Sequence, residues 1–516
     1  MKEGLRRAIM RLAFVVIIAT NSVSLTAQQQ PAGAATDAKN KEILRAIDQL
    51  IQQNANLVKQ NQELMELNRE LVQQINSFRP TETLFQLETA SAAQQSATQS
   101  AGQRSGGTQG NDDKTKLPEA SEGNPAIFGE FNPGRGFTVA QGKYGKLNLS
   151  GYMAVRYLNQ LPATQSATDH LGRPLPVNPR QDFQFHRVML FSQGWLFSPK
   201  FNYQTFVWTV QDTNQVAVGG ALTYNFGKYM TLGAGWNAYP GTQSLQGSHP
   251  YWESYDRVMA DEFFRPYFSQ GVFAQGNLLP SLEYRWLIGN NNSNLDIPAT
   301  KLDRELSGGF AITWMPTTHE FGPRGAFGDY ENHSKVATRF NLAYTYSPEE
   351  RQAPIGSPSG NTTLRLSDSL NVFDTGALAD GVTVEKAHYK MVSAAAGVKY
   401  RGFWLQGEGY ARRLDHFVAD GKLPHGVVRD FGFYAQMADF ITKKVELYGA
   451  TSYVFGQFGQ PKEFIVGGNY YPWDTRNIRM NVQLINVDHS PVSSTFGFYV
   501  GGLTGQVFTI GVTALY

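Results

Sequence analysis

The chain has 516 residues, of which 41% are hydrophobic, and it contains no cysteine. The absence of cysteine excludes disulfides, thiol catalysis and cysteine-ligated metals, and the formal net charge of +2 gives no strong attraction to nucleic acid. Mean hydropathy is −0.35, and after the N-terminus no apolar run reaches the roughly 20 residues that a membrane-spanning helix needs. A helical membrane protein is therefore excluded, whereas a barrel of alternating strands fits these values.

The first residues have the features of a secretion signal. Arg6 and Arg7 give a basic start, and an apolar stretch follows over residues 12–19. Small residues precede and include Ala27, so we predict a signal peptide over residues 1–27 and export of the rest. The alternative is an N-terminal membrane anchor, which the short apolar stretch disfavours.

A heptad pattern occupies residues 38–79. Leucine repeats at one core position and asparagine at the other: Leu50, Leu57, Leu64 and Leu71, with Asn54, Asn61 and Asn68. A second apolar row widens this face, so we predict an α-helical coiled coil of more than two strands. The alternative is one amphipathic helix that lies on the barrel or plugs it. Residues 80–130 are rich in Ser, Ala, Gln, Gly and Thr without periodicity, and we predict a low-complexity linker there.

From residue 136 onward the sequence alternates with a period of two. In residues 477–484, for example, apolar and polar side chains take opposite faces: Ile478, Met480, Val482 and Leu484 against Arg479, Asn481 and Gln483. Residues 146–159 and 336–346 show the same pattern. A soluble sandwich would alternate too, but aromatic residues at the predicted strand ends favour a membrane barrel.

The last strand of this segment, residues 506–516, alternates up to Tyr516. A barrel in lipid must close its last strand on its first, because an open edge leaves backbone groups without hydrogen bonds. Residues 136–516, at roughly 22 to 25 residues per strand, predict about 16 strands. The predicted fold is therefore all-β, an antiparallel transmembrane β-barrel wide enough to leave an aqueous channel.

Five motifs are spread across the barrel segment: DFQFHRVML from Asp182, the strand pair 224–236, RVMADEFFRP from Arg257, FWLQGEGY from Phe403 and GGNYYP from Gly467. They resemble the phosphate-selective porin O and P family. The resemblance implies a sixteen-stranded, trimeric outer-membrane channel that passes anions, phosphate among them. The barrel segment departs from the arginine-rich family pattern, because its charges are nearly balanced. Residues 1–135 carry 14 basic and 14 acidic side chains, so 31 basic and 29 acidic side chains remain for residues 136–516.

Parity along the strands directs six basic side chains into the lumen, since a charge facing lipid costs about 2–4 kcal/mol at mid-membrane: Arg156, Arg285, Arg339, Lys399, Arg412 and Arg479. We predict that they line the channel and replace part of an anion's hydration. The alternative is a wall of charge pairs, for instance Arg412 with Glu408. Arg257 and Arg265 are predicted on or beside a folded-in loop, near a constriction.

The predicted function is a porin for passive diffusion of small solutes, with anions such as phosphate as substrates. One alternative, which can coexist with the porin, is a structural anchor that uses the coiled coil as a spacer in contact with the cell wall. We predict an outer-membrane location with the coiled coil in the periplasm, because the N-terminus of a barrel with an even number of strands lies on that side. Another alternative is a carbohydrate-type porin, in which aromatic side chains form a slide for sugars or else an interfacial girdle: Trp236, Trp252, Tyr255 and Phe263.

We predict no enzymatic activity, no cofactor and no metal ligands. No Gly-x-Ser-x-Gly elbow occurs in the barrel, and the nine histidines lack the paired spacing of a metal-binding helix. His249, His319 and His416 are assigned to loops, where a solvated histidine is commoner than a catalytic one. The predicted partners are outer-membrane lipid, small anionic solutes and two further copies of the chain.

Overall fold

A computed structural model of the chain describes residues 130–132, 135–210, 215–247, 251–292, 304–325, 327–352, 364–493 and 497–516. The predicted signal peptide (1–27), the coiled-coil helix (38–79) and the linker up to residue 129 lie outside these ranges. Within the described residues, sixteen antiparallel strands form one closed barrel, as the alternation and the residue count predicted.

The strands are numbered in chain order. Those of the first half are β1 Glu130–Asn132, β2 Gly136–Gly142, β3 Gly145–Leu161, β4 Gln165–Thr168, β5 Pro174–Val177, β6 Gln181–Leu196, β7 Ser198–Val210, β8 Gln215–Asn225, β9 Thr231–Ala238 and β10 Phe268–Leu279. Those of the second half are β11 Leu282–Gly289, β12 Ser307–Trp314, β13 Ala337–Glu350, β14 Val384–Tyr400, β15 Phe403–Ala419, β16 Val427–Phe440, β17 Val445–Phe455, β18 Lys462–Tyr470, β19 Ile478–Asp488 and β20 Gly505–Leu515.

The barrel consists of β3 and β6 to β20, each paired with its neighbour in sequence, and β20 closes on β3. At the closure, Gly151 and Tyr516 exchange two backbone hydrogen bonds of 2.8 Å. The predicted pairing of the last strand with the first is therefore confirmed. Strands β1 and β2 extend the sheet beside the start of β3, and β4 and β5 form a separate hairpin between β3 and β6.

The barrel strands carry apolar side chains towards the exterior and most of their polar side chains towards the interior. Along β19, Arg479, Asn481 and Gln483 are buried, whereas the alternating Met480 and Val482 are exposed. A period of two is inherent to the pleated strand. The exposed apolar band is the reverse of a soluble protein's surface, whereas the interior combines these polar residues with buried hydrophobic ones such as Leu414 and Val428.

The two rims of the barrel differ in their connections. On one rim, short turns join β6 to β7 and β14 to β15; the latter turn is Arg401 and Gly402, both at positive φ, as a two-residue hairpin requires. We call this rim the turn side. The other rim carries long connections between β3 and β6, β9 and β10, β13 and β14, and β19 and β20, and we call it the loop side.

Two connections fold inward and fill much of the lumen. The connection of residues 239–267 between β9 and β10, called the inward loop, contains two short helices, α1 (Gln243–Gln246) and α2 (Met259–Phe264). The connection of residues 315–336 between β12 and β13, called the turn-side segment, includes a 3₁₀ turn at Pro323–Gly325. The two meet where Phe327 N donates to the Tyr251 carbonyl at 2.9 Å.

Among the described residues, no helix combines the length and the apolar character needed to cross a membrane.

Candidate functional site in the barrel lumen

The inward loop crosses the lumen and is held to the opposite wall by hydrogen bonds. At the start of α2, Met259 N donates to Glu463 Oε2 on β18 at 2.8 Å. After its last turn, the hydroxyl of Tyr389 on β14 donates to the Phe264 carbonyl at 2.6 Å. All six residues of α2 are buried. The loop that leaves the barrel at β9 is therefore fixed on the far side of the lumen.

The two basic residues predicted near a constriction lie within the inward loop, on either side of α2. Arg257 Nε donates to Ser244 Oγ at 2.7 Å and lies 3.7 Å from Asp261 Oδ2. Arg265 pairs with Glu262 at 2.6 Å. Burial is the main cause that lowers the pKa of Arg257 to about 9. Both charges are thus compensated inside the loop, so they stabilise its conformation.

Two of the six predicted lining residues hold inward-folded connections in place. Arg156 donates to Gln184 Oε1 and to the Gly497 carbonyl, both at 2.7 Å. Arg479 donates to three successive backbone carbonyls of the inward loop, those of Trp252, Glu253 (3.2 Å) and Ser254. Each side chain is 1% exposed. Both face inward, and both are covered by the segments that they bind.

Arg412 is likewise paired, but with a different acid from the one considered in the sequence. Its guanidinium binds Asp430 at 2.6 Å, and both side chains are buried. Glu408 instead accepts hydrogen bonds from Gln243 N and the Tyr410 hydroxyl, at 3.2 Å each. The pairing of Arg412 with Glu408 was wrong because four residues along a strand span roughly 13 Å, whereas Asp430 lies directly opposite Arg412 on β16.

Arg339 and Lys399 lie beneath the turn-side segment. Both cations lie over the ring of Phe321, at 4.3 Å and 4.8 Å from its centroid. Arg339 also donates to Gln406 Oε1, and Lys399 Nζ lies 3.5 Å from Glu331 Oε2. The side chains of this pair are buried, with Lys399 0% exposed. Cation–π contact and the nearby carboxylate compensate their charge.

Arg285 is the predicted lining residue that keeps solvent access, because it is half-buried while the other five are buried. It donates to the Gln246 carbonyl of the inward loop at 2.7 Å. Gln275, directly opposite on β10, is exposed, and so is Gln204 on β7, which pairs with the half-buried Gln193 on β6. We call these four residues, on the inward faces of β6, β7, β10 and β11, the accessible wall of the lumen, although Phe206 and Trp208 on the same face of β7 are buried.

The neutral side chains of this wall were not predicted from the sequence. The prediction considered only charged residues at inward positions. Glutamines at inward positions follow the same alternation, but they were not considered. What could have found Gln193, Gln204 and Gln275 is the parity of their strands combined with the absence of nearby loop residues to cover them. The second condition depends on where the inward loop docks, which the sequence does not reveal.

Two groups of histidine and acidic residues in the described ranges could hold a metal ion: His388, Asp415 and His416, and Asp329, Glu331 and His333. In the second group His333 lies between Asp329 and Glu320, and its Nε2 is 2.8 Å from Glu320 Oε1. Asp329 also accepts from Gly402 N at 2.7 Å. Both ring nitrogens of His333 are therefore occupied by carboxylates and are not available to a metal ion. We interpret this group as an ion-pair cluster that stabilises the turn-side segment.

The contacts of His333 predict a pH response of the turn-side segment. Hydrogen bonds to Asp329 and then Glu320 raise the pKa of His333 to about 9, whereas a free histidine titrates near 6.5. The stabilisation is thus complete below about pH 6.5 and is lost as the pH rises through about 9. We expect amide exchange of residues 327–336, corrected for its intrinsic pH dependence, to accelerate between pH 7 and 10.

Two variants separate this ion pair from general alkaline loosening. His333→Gln should exchange rapidly at pH 7 and show no further acceleration at pH 10. His319→Asn, at an exposed histidine of the same segment, should keep the wild-type profile. Identical exchange in wild type and His333→Gln at pH 7 would show that the histidine does not hold the segment.

No protein-family profile and no curated protein sequence matches the chain. Similar folds are found only among solved structures. The chain is similar to the outer-membrane expressed OmpT of Vibrio cholerae, at 9% identity over 73% of this chain and 99% of that one, with a TM-score of 0.46. It is similar to an anion-selective porin from Comamonas acidovorans (10% identity, 72% and 100% covered, TM-score 0.45) and to the outer membrane channel DcaP of Acinetobacter baumannii (10%, 74% and 99%, TM-score 0.43). At these values the likeness adds nothing to the barrel architecture already described.

Proposed function

We propose that this chain is a bacterial outer-membrane porin, a water-filled channel for passive diffusion of small solutes. The observation that carries the proposal is the distribution of polarity around a closed sixteen-stranded barrel. Exposed residues such as Val482 and Ile510 give the exterior an apolar band, while Asn481 and Thr509 face the lumen. Lipid solvates the apolar exterior, and a barrel of this size encloses more space than its own side chains fill.

The proposed route for solutes follows the accessible wall, beside the inward loop. There the side chains that keep contact with solvent are neutral amides and Arg285, beside buried aromatic residues such as Phe206 and Trp208. Elsewhere around the barrel the inward-facing residues are covered by the inward loop, the turn-side segment or the loop-side connections. The inward loop therefore narrows the channel to one side of the lumen.

Small anions, phosphate among them, are the proposed solutes. Arg285 supplies a half-buried cationic side chain on the proposed route, and a guanidinium group can replace part of an anion's hydration. Glu283 lies two residues away on the same strand and offers a charge of opposite sign. One compensated cation supports a weak preference for anions rather than a tight binding site.

Membership of the phosphate-selective porin O and P family is part of the proposal, and with it assembly as a homotrimer. The signal peptide, the linker and the coiled coil of residues 38–79 belong to it as well. Both ends of a barrel with an even number of strands lie on the turn side, which in such barrels faces the periplasm. The coiled coil would accordingly extend into the periplasm and could contact the cell wall.

Single-channel recording in planar bilayers tests the proposal. The wild-type protein should give discrete conductance steps, and its reversal potential in asymmetric KCl should show a modest excess of chloride current. Arg285→Glu should move the reversal potential towards cation preference, because it places a carboxylate on the route. The same shift should appear with potassium phosphate.

Arg429→Glu is the matched control, because it makes the same change of charge on an exposed side chain near the loop-side end of β16. It should leave the reversal potential near the wild-type value. Equal shifts from Arg285→Glu and Arg429→Glu would rule out Arg285 as a lining residue. Absence of conductance steps from a folded barrel would favour the anchor function over the porin.

The carbohydrate alternative finds less support in the geometry. Trp252, Tyr255 and Phe263 are all buried within the inward loop, so their rings cannot stack on a passing sugar. Trp236 is stacked on Phe268 with ring centroids 4.3 Å apart. These contacts favour packing as the role of the four aromatic residues, within the inward loop for three of them and between barrel strands for Trp236.

A further inference from the structure

A pair of histidines at the loop-side rim has no role in the proposed channel. His388 lies near the start of β14 and His416 near the end of β15. Their rings are stacked, with centroids 4.7 Å apart and planes at 15°. His416 was predicted in a loop, but it lies within β15 at positive φ, where it departs from the regular strand. This departure brings its ring onto that of His388.

Both rings are oriented through Nδ1 by a neighbouring oxygen. His416 Nδ1 is 2.8 Å from Asp415 Oδ1, and His388 Nδ1 is 3.3 Å from the Tyr346 hydroxyl. Within the described residues neither Nε2 has a hydrogen-bond partner. An imidazole held through one nitrogen, with the other free, is the arrangement in which histidine binds metal ions in proteins.

A third ligand of suitable chemistry lies next to His388. Glu305 Oε2 is 3.9 Å from His388 Nε2, too far for a hydrogen bond and within reach of a shared ion. The Glu305 side chain is 47% exposed and that of His416 is 63% exposed. Both can therefore adjust their rotamers to a ligand that arrives from the solvent, whereas Asp415, buried at 2%, is fixed as a support.

The surrounding charges do not oppose a cation. Lys390 Nζ is 2.9 Å from Asp415, and Arg413 also binds this carboxylate. Lys386 binds Glu305 at 2.8 Å and Glu350 at 3.0 Å. Three carboxylates thus balance three basic side chains. Because Lys386 has Glu350 as a second partner, Glu305 can release it without leaving it unpaired.

We propose that His388, His416 and Glu305 bind a divalent transition-metal ion of the zinc class at the loop-side rim. Two neutral imidazoles and one carboxylate are a ligand set that Zn²⁺ accepts in tetrahedral sites, with water in the fourth position. Asp415 and Tyr346 act as positioning residues through the Nδ1 atoms of the two rings. This metal-binding site lies at the loop-side rim, and the proposal does not depend on the barrel being a porin.

Calorimetric titration of the full chain in detergent micelles with Zn²⁺ tests the site. Wild type should bind one Zn²⁺ per chain, and His388→Ala and His416→Ala should each weaken binding at least tenfold. Asp415→Asn should weaken it about tenfold, as loss of a supporting hydrogen bond does. His489→Ala is the matched control, because this histidine also pairs with the aspartate before it in sequence, Asp488, at a loop-side strand end.

The results separate the site from simple ring packing. Zinc binding that His388→Ala and His416→Ala leave intact would overturn the proposal, as would absence of binding by wild type at millimolar Zn²⁺. Because the His416 ring is mostly exposed, His416→Ala should keep the folded barrel, which the gel mobility of unheated protein checks. A folded His416→Ala variant that binds Zn²⁺ like wild type would therefore be decisive.

Discussion

Replacing residues 241–266 by a linker of about four residues should raise the single-channel conductance at least about twofold, because these residues fill the lumen of a barrel whose size otherwise leaves an aqueous channel. A short linker suffices, since Ala238 and Phe268 are directly paired across β9 and β10. The replacement also removes Arg257 and Arg265, and with them the ion pairs that stabilise the inward loop. The measurement is single-channel conductance in planar bilayers.

A second replacement serves as the control for this deletion. Residues 421–425, in the exposed connection between β15 and β16, can be exchanged for the same linker. This variant should keep the wild-type conductance. If the deletion of the inward loop yields a folded barrel with unchanged conductance, the inward loop does not limit the channel.

Asp430→Ala should lower the free energy of unfolding by about 3–5 kcal/mol, because it leaves the guanidinium of Arg412 buried without its carboxylate. The two side chains are 2.6 Å apart, at 1% and 0% exposure. The double variant Arg412→Leu with Asp430→Leu should recover most of this loss, since it removes both charges together. Urea unfolding in micelles, followed by tryptophan fluorescence, measures both.

An exposed pair provides the comparison. Lys462 and Asp488 are 3.4 Å apart but 50% and 36% exposed. Lys462→Ala should therefore cost no more than about 1 kcal/mol. Similar losses from Asp430→Ala and Lys462→Ala would mean that the Arg412 site is hydrated in the membrane-embedded protein.

The architecture could be predicted from the sequence because it depends on local alternation. The segments around Leu147, Phe340 and Val482 repeat with a period of two, and dividing the segment length by a strand and its connections gave the observed strand number. The closure of β20 on β3 followed from the requirement that backbone groups in lipid be paired. None of these inferences needed knowledge of contacts between distant residues.

The lumen could be predicted only in part because its accessibility depends on distant contacts. Parity alone selected Arg156 and Arg479, yet both are covered by connections that lie far away in the sequence. The partner of Arg412 depends on the register between β15 and β16, which fixes Asp430 opposite it. The histidine pair needed the same information, because His388 and His416 meet only across two paired strands.

The closure of the barrel has a consequence for the order in which the chain must fold. β3 is the first barrel strand to be synthesised, and one of its edges pairs with β20, the last. That edge stays without its partner until every intervening strand has left the ribosome. Contacts so distant in sequence form slowly, and unpaired strand edges associate with other chains meanwhile. We therefore expect a chaperone to bind the unfolded chain and protect the edge of β3 until β20 has been synthesised and can pair with it.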